Sequence, residues 1–156
     1  MFKNKVLSIV LGLALAAGIL TGCNTSSPTS NNGKLVDGVY KVEYDNFDSH
    51  GYKGQLELTI NGGKITEVKY DELKNDGTFK SKDEAYKKSM EEQSKTYPEK
   101  AYSELKQQLL SKQTSNIDGV TGATASSSNF KTLVKYALES MANTGKTTSA
   151  KIPAAK

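Results

Sequence analysis

The sequence predicts a single α+β domain: a small antiparallel sheet of three or more strands, with helices packed on one face. Three observations carry that expectation. Residues 39–70 alternate apolar and polar side chains with period two. From about residue 82 the apolar spacing changes to that of helices. Finally, the strands come first and the helices after, an order that packs helices on one side of a sheet rather than on both.

The first strand is read from GVYKVEY, where Tyr40, Val42 and Tyr44 share one face and Val39, Lys41 and Glu43 the other. In QLELTI, Leu56, Leu58 and Ile60 oppose Glu57 and Thr59. Asn61-Gly62-Gly63 is a hairpin turn, since both glycines accept positive φ. The partner strand runs from Lys64 to Tyr70. A helix is predicted from about Lys82 to Gln93, with Tyr86 and Met90 on one face and Ser81 as its cap, Glu84 lying three residues on. Tyr97-Pro98 ends it. Pro98 opens a second helix with Tyr102, Leu105, Leu109 and Leu110 in apolar register. The last helix runs from about Ser126 to Met141 on Phe130, Leu133, Val134, Ala137 and Leu138.

The ends have a different character. Lys3 and Lys5 precede the apolar run Val6–Leu20, which is too short for a comfortable span and has the proportions of a secretory signal peptide. It closes on Leu20-Thr21-Gly22-Cys23, which looks like a bacterial lipobox. That resemblance implies cleavage before Cys23 and a diacylglycerol on its sulfur. Residues 1–22 are thus expected to be a lipoprotein signal peptide and 23–36 a lipidated cysteine with a flexible Asn/Ser/Thr tether, roughly 20 Å in reach as a coil. Residues 37–142 form the working domain. Residues 143–156, poor in apolar side chains and carrying Lys146, Lys151 and Lys156, are expected to be a disordered tail.

Composition excludes several chemistries. The 156 residues carry 21 basic and 17 acidic side chains, a net charge of +4. All the basic residues are lysines, so no guanidinium fork exists for phosphate or guanine. All 17 acidic residues but only 15 lysines fall within 37–142, making that segment −2 and removing the case for nucleic acid. One cysteine and one histidine cannot build a disulfide or a Cys/His zinc centre. Any histidine-based triad would have to use His50. No catalytic or metal-ligating constellation stands out.

One segment remains: Asn116-Ile117-Asp118-Gly119-Val120-Thr121-Gly122-Ala123-Thr124-Ala125-Ser126-Ser127-Ser128. It is an apolar approach, a glycine-rich turn and a hydroxyl-rich helix start. Free N–H groups and the helix dipole there favour an anion. Gly122 and Ala123 leave the Thr124 hydroxyl approachable, and Ser126, Ser127 and Ser128 can cap the helix or bind a phosphate. Read from the residues alone, it is either a glycine turn with an N-cap or a phosphate-type site.

Asp118-Gly119-Val120-Thr121-Gly122-Ala123-Thr124 resembles the covalent flavinylation motif of the bacterial FMN-binding domain family. Asp37-Gly38-Val39-Tyr40, the hairpin at Gly63-Lys64-Ile65, and His50-Gly51-Tyr52 extend the resemblance over most of 37–140. The position of Tyr52 is often tryptophan in small members, a mild departure. The resemblance implies that a separate magnesium-dependent flavin transferase takes FMN from FAD and joins its phosphate to Thr124. Asp118, Gly119, Thr121, Gly122, Ala123 and Ser126 would then position the group, with His50, Lys80, Tyr86 and Met90 as further candidate contacts.

The expected function is that of a membrane-anchored, extracytoplasmic electron carrier with covalent FMN rather than a stand-alone enzyme. Its expected partners are the transferase, a membrane quinol or dehydrogenase donor, an extracellular acceptor or reductase, and the bilayer that holds its lipid. The alternative is a non-redox surface lipoprotein that binds a ligand without FMN. With either, the signal peptide LALAAGIL can also serve as a pheromone precursor, by analogy with processed Gram-positive lipoprotein leaders.

Overall fold

The computed structural model describes residues 34–154. The predicted signal peptide, Cys23 and most of the tether lie outside the described residues. Strands β1 (Gly38–Tyr44), β2 (Tyr52–Asn61) and β3 (Lys64–Lys74) form the expected meander, with Tyr40 opposite Leu58 and Leu56 opposite Tyr70. The alternation is obeyed: Tyr40, Val42, Tyr44, Leu56, Leu58, Ile60, Val68 and Tyr70 are buried on one face. The opposite face carries Lys41, Lys69 and Glu57, with both lysines 2.9 Å from the Glu57 carboxylate. Exposed pairs of this kind contribute little stability; they keep the open face polar.

The tail expectation is corrected over part of its length. Ser149–Ile152 form strand β4, parallel to β1, so the sheet is mixed, in the order β3-β2-β1-β4. Composition hid the strand because only Ile152 among its residues is buried. The pairing is made by backbone: Lys41 N–H donates to Thr148 O at 2.8 Å and Asp45 N–H to Ile152 O at 2.9 Å. Lys151 adds an ion pair to Glu43 at 2.8 Å.

Three helices follow: α1 (Glu84–Ser94), α2 (Pro98–Lys112) and α3 (Thr124–Tyr136), the last continuing into a π-helical turn at Ala137–Ala142. The cap of α1 differs from the expectation. Asp83 accepts the Tyr86 N–H at 3.0 Å. Ser81 lies in a 3-10 turn, Lys80–Lys82, where its N–H and hydroxyl both donate to Asp71. A carboxylate on the neighbouring strand has captured the serine, and the helix starts later.

Helix α2 packs on β3 and α3 on β2. Leu105, Leu109, Phe130, Leu133 and Val134 complete the core against the sheet. The close approach of α3 depends on Gly54, where a Cβ would stand 2.9 Å from Leu133 Cδ1. Gln113, in the left-handed conformation that ends α2, uses its side-chain amide to accept from Ile65 N–H at 2.7 Å and donate to Ile65 O at 2.9 Å. That clasp ties the end of α2 to the edge of the sheet.

Candidate functional site

A cleft of about 200 Å³ opens between α1 and the start of α3. Tyr86, Ser89, Met90, Gln93 and Ser94 of α1 line one side, Gly122, Ala123, Thr124, Ala125 and Ser126 the other, and Lys80 also contributes. Tyr86, Met90 and Gln93 recur at helical spacing, so α1 presents one continuous stripe to the cleft. A second recess, about 490 Å³, lies along Gly119, Val120, Thr121, Thr124, Ser127, Ser128, Lys131 and Thr132. Thr124 is exposed and belongs to both concavities.

The loop that presents Thr124 is built from backbone. Ala123 N–H donates to Val120 O at 3.0 Å, closing the turn. Val120 N–H donates to the buried Ser127 hydroxyl at 2.9 Å, fastening the loop to the helix it precedes. Gly122 has φ +80°, which a side chain rarely adopts, and a Cβ there would stand 2.8 Å from Ser94 O. The glycine is therefore required both by conformation and by the end of α1 behind it. Thr124 is the first residue of α3, and the N-cap Ala123 supplies no side-chain acceptor. The first turn is left uncapped by protein, the condition under which a helix start binds an anion.

Beside Lys80 lies a buried polar cluster. Glu72 is 1% exposed, and its Oε2 accepts from Lys80 Nζ at 2.6 Å. Its Oε1 accepts from the Tyr70 hydroxyl at 2.7 Å and from Asn129 Nδ2 at 3.2 Å. The Lys80 ammonium lies 4.5 Å from the Tyr52 ring centroid and 4.6 Å from that of Tyr86. Burial works against charge on Lys80, but attraction to Glu72 outweighs it and holds the ammonium above the ordinary lysine range. Tyr70, which also donates to Ser126 O at 3.3 Å, is pushed well above the usual phenol range by burial and then by Glu72.

Of the residues singled out in the sequence, the cleft gathers Lys80, Tyr86, Met90, Gly122, Ala123, Thr124 and Ser126. Gly119 and Thr121 line the recess. Asp118 points to neither; it pairs with Lys112 at 2.7 Å, which lowers its pKa. His50 sits in the Asp48–Gly51 turn, its N–H donating to Asp48 Oδ1 at 2.9 Å, and lines neither concavity. Glu72 was absent from the sequence reading, and Tyr52 entered it only through the resemblance, with no role in the site. The signal for Glu72 was present: continuing the inward series Val68, Tyr70 by two residues places a carboxylate on the buried face.

The chain matches the family model for the FMN-binding domain over residues 51–139, and it belongs to that family. It is 40% identical over 129 residues to a protein named 15 kDa lipoprotein from Treponema pallidum (strain Nichols), covering 81% of this chain and 86% of that one. A crystal structure of a protein from Clostridium perfringens is similar in fold, with a TM-score of 0.74 and 38% identity over 78% of this chain and 99% of the other.

The residues fit an FMN. An uncapped helix start suits its phosphate, a free hydroxyl stands at that start, and a lysine held charged lines the same cleft. Ligand pockets usually measure about 300–1,000 Å³. The 200 Å³ cleft has room for only part of such a nucleotide, and the neighbouring recess of about 490 Å³ adds further open space beside Thr124.

Proposed function

We propose that this protein is a lipid-anchored, extracytoplasmic electron carrier with FMN joined through its phosphate to Thr124 Oγ1. The observation that carries the reading is the exposed Thr124 hydroxyl at an uncapped helix start, flanked by two concavities. Attachment would proceed by displacement. Thr124 Oγ1 forms a bond to the flavin-side phosphorus of FAD, the pyrophosphate bond breaks, AMP leaves with its electron pair, and the hydroxyl proton passes to a base of the transferase. Dilution then cannot strip the cofactor from a protein outside the cell.

The attached group supplies the electron chemistry. The chain's own residues hold it. The N–H groups of the first turn of α3 would meet the phosphate, Gly122 supplies the positive φ that leads the loop into Thr124, and Tyr86 and Met90 offer apolar surface on the opposite wall. The Leu20–Cys23 sequence, together with the lipoprotein relative, supports a membrane anchor on Cys23. The protein would take electrons from a membrane donor and pass them to an extracellular acceptor.

The test is intact mass with a visible spectrum on full chain made beside a flavin transferase. Wild type is expected to be yellow after denaturation and heavier than the same chain made without the transferase by one FMN less one water. Thr124→Ala is expected to be folded and colourless. A wild-type mass with no such increment sinks the reading and leaves the chain a non-redox binding module.

A further inference from the structure

Lys80 in the cleft wall and Glu72 buried behind it are the residues whose position a structural role explains least. Burying two charges costs desolvation that their attraction barely repays, and an apolar pair of the same volume is often as stable. Here both are buried, with side-chain exposures of 1% and 7%. They do not sit in the centre of the core: Lys80 lines the cleft that contains Thr124. The surroundings are arranged to hold the ammonium in place. Glu72 is fixed by Tyr70 and Asn129, donors from β3 and α3, and the rings of Tyr52 and Tyr86 lie against the Lys80 ammonium. The Tyr52 and Tyr86 rings meet edge to face, with centroids 5.6 Å apart. A lysine tied in this way loses little freedom when it meets a ligand, unlike the mobile lysines of the surface.

We propose that Lys80 is the fixed cation of the cleft, meeting negative charge on the attached flavin nucleotide, and that Glu72 is its positioning residue. This rests on the reading of Thr124 as the FMN acceptor. The charge has two sources within one ligand: the phosphodiester, and the pyrimidine edge of the ring once reduced. Both are anions, and a fixed cation close by stabilises either one. His50 meets neither, since it lies in the Asp48–Gly51 turn away from both concavities.

The test compares Lys80→Gln, Lys80→Arg, Glu72→Gln and the double variant Glu72→Gln with Lys80→Gln, each as flavin-loaded full chain. The midpoint potential and the 31P resonance are recorded for all. If Lys80 faces the ring, Lys80→Gln lowers the potential and Glu72→Gln raises it. Each change is about tenfold in the reduction equilibrium, or about 30 mV for a two-electron couple. Lys80→Arg stays near wild type. If Lys80 faces the phosphate, the potential holds and Lys80→Gln moves the 31P resonance, with Lys80→Arg restoring it. Packing damage would shift the potential of Lys80→Gln and Glu72→Gln in the same direction, and that outcome overturns the proposal, as does a Lys80→Gln protein unchanged in both readouts. Should Lys80→Gln fail to fold around an unpaired Glu72, the double variant compared with Glu72→Gln isolates the lysine charge by the same two readouts and the same criteria. Wild type without flavin defeats the underlying reading, and this inference with it; wild type with flavin but no response at Lys80 defeats the inference alone.

Discussion

The two helices that face each other across the cleft are held by different physics. Helix α3 buries Ser126, Ser127, Phe130, Leu133 and Val134, and Phe130 meets Tyr70 edge to face at 4.9 Å. Helix α1 buries none of its residues. Its attachments include the Asp83 cap, the Tyr86 ring against Tyr52 and Lys80, Met90 packed on the edge of the core, and a long ion pair from Lys87 to Glu99 at 3.6 Å. The wall that presents Thr124 is thus part of the core, whereas the wall opposite is a surface element near the low end of local stability. A site that must offer one hydroxyl in a fixed position, and still admit a large group beside it, is well served by that division.

The largest expected effect lies on the fixed wall. Phe130→Ala removes a fully buried ring packed on Tyr70 and is expected to cost about 3–5 kcal/mol of global stability, read from urea unfolding. A loss below about 1 kcal/mol would mean that α3 is not anchored through its core face, and the contrast would fail.

Gly122→Ala probes the joint between the walls. The new methyl would sit at φ +80° and 2.8 Å from Ser94 O at the end of α1. Strain of this kind costs about 1–3 kcal/mol. Relief is expected through α1, the side that can move, so amide exchange should rise at Ser94–Thr96 while Phe130–Val134 stay protected. Uniform loss of protection would show that the two walls are one cooperative unit.

The same contrast explains what the sequence disclosed. Elements with a buried periodic face were legible: the alternation of Tyr40, Val42 and Tyr44, or the spacing of Phe130, Leu133 and Val134, reports burial directly. Helix α1 was legible from its spacing, yet not its cap, because Ser81 and Asp83 compete and Asp71, a residue distant in sequence, decides between them. Strand β4 was not legible, because backbone pairing to β1 leaves no compositional trace in four residues with a single buried side chain. In the site, the Asp118–Thr124 motif was visible as a contiguous string. The Glu72–Lys80 pair was not, since eight residues separate its members and only the fold joins them.

The smallest effect is expected at the α1 cap, and its pH dependence has a definite sign. The Tyr86 N–H, and after it Lys74, hold the Asp83 carboxyl below the ordinary aspartate range. A carboxyl whose folded pKa is depressed stabilises fully above its unfolded value, near 4, and loses that contribution as pH falls through the folded value. Local protection of α1 should therefore be level from pH 7 to about 5 and decline below about 4. Asp83→Ala should cost about 1 kcal/mol at neutral pH, since an alanine cannot accept the orphan N–H. The loss should be confined to α1 amides, because α1 buries none of its own residues and meets the core only at its edge, through Met90 and the Tyr86 ring. Asp83→Asn should retain the cap and remove its acid sensitivity, so the difference between wild type and this variant isolates Asp83 from the other carboxylates. If Asp83→Ala instead lowered global stability by as much as Phe130→Ala, α1 would belong to the core and the cleft would have two fixed walls.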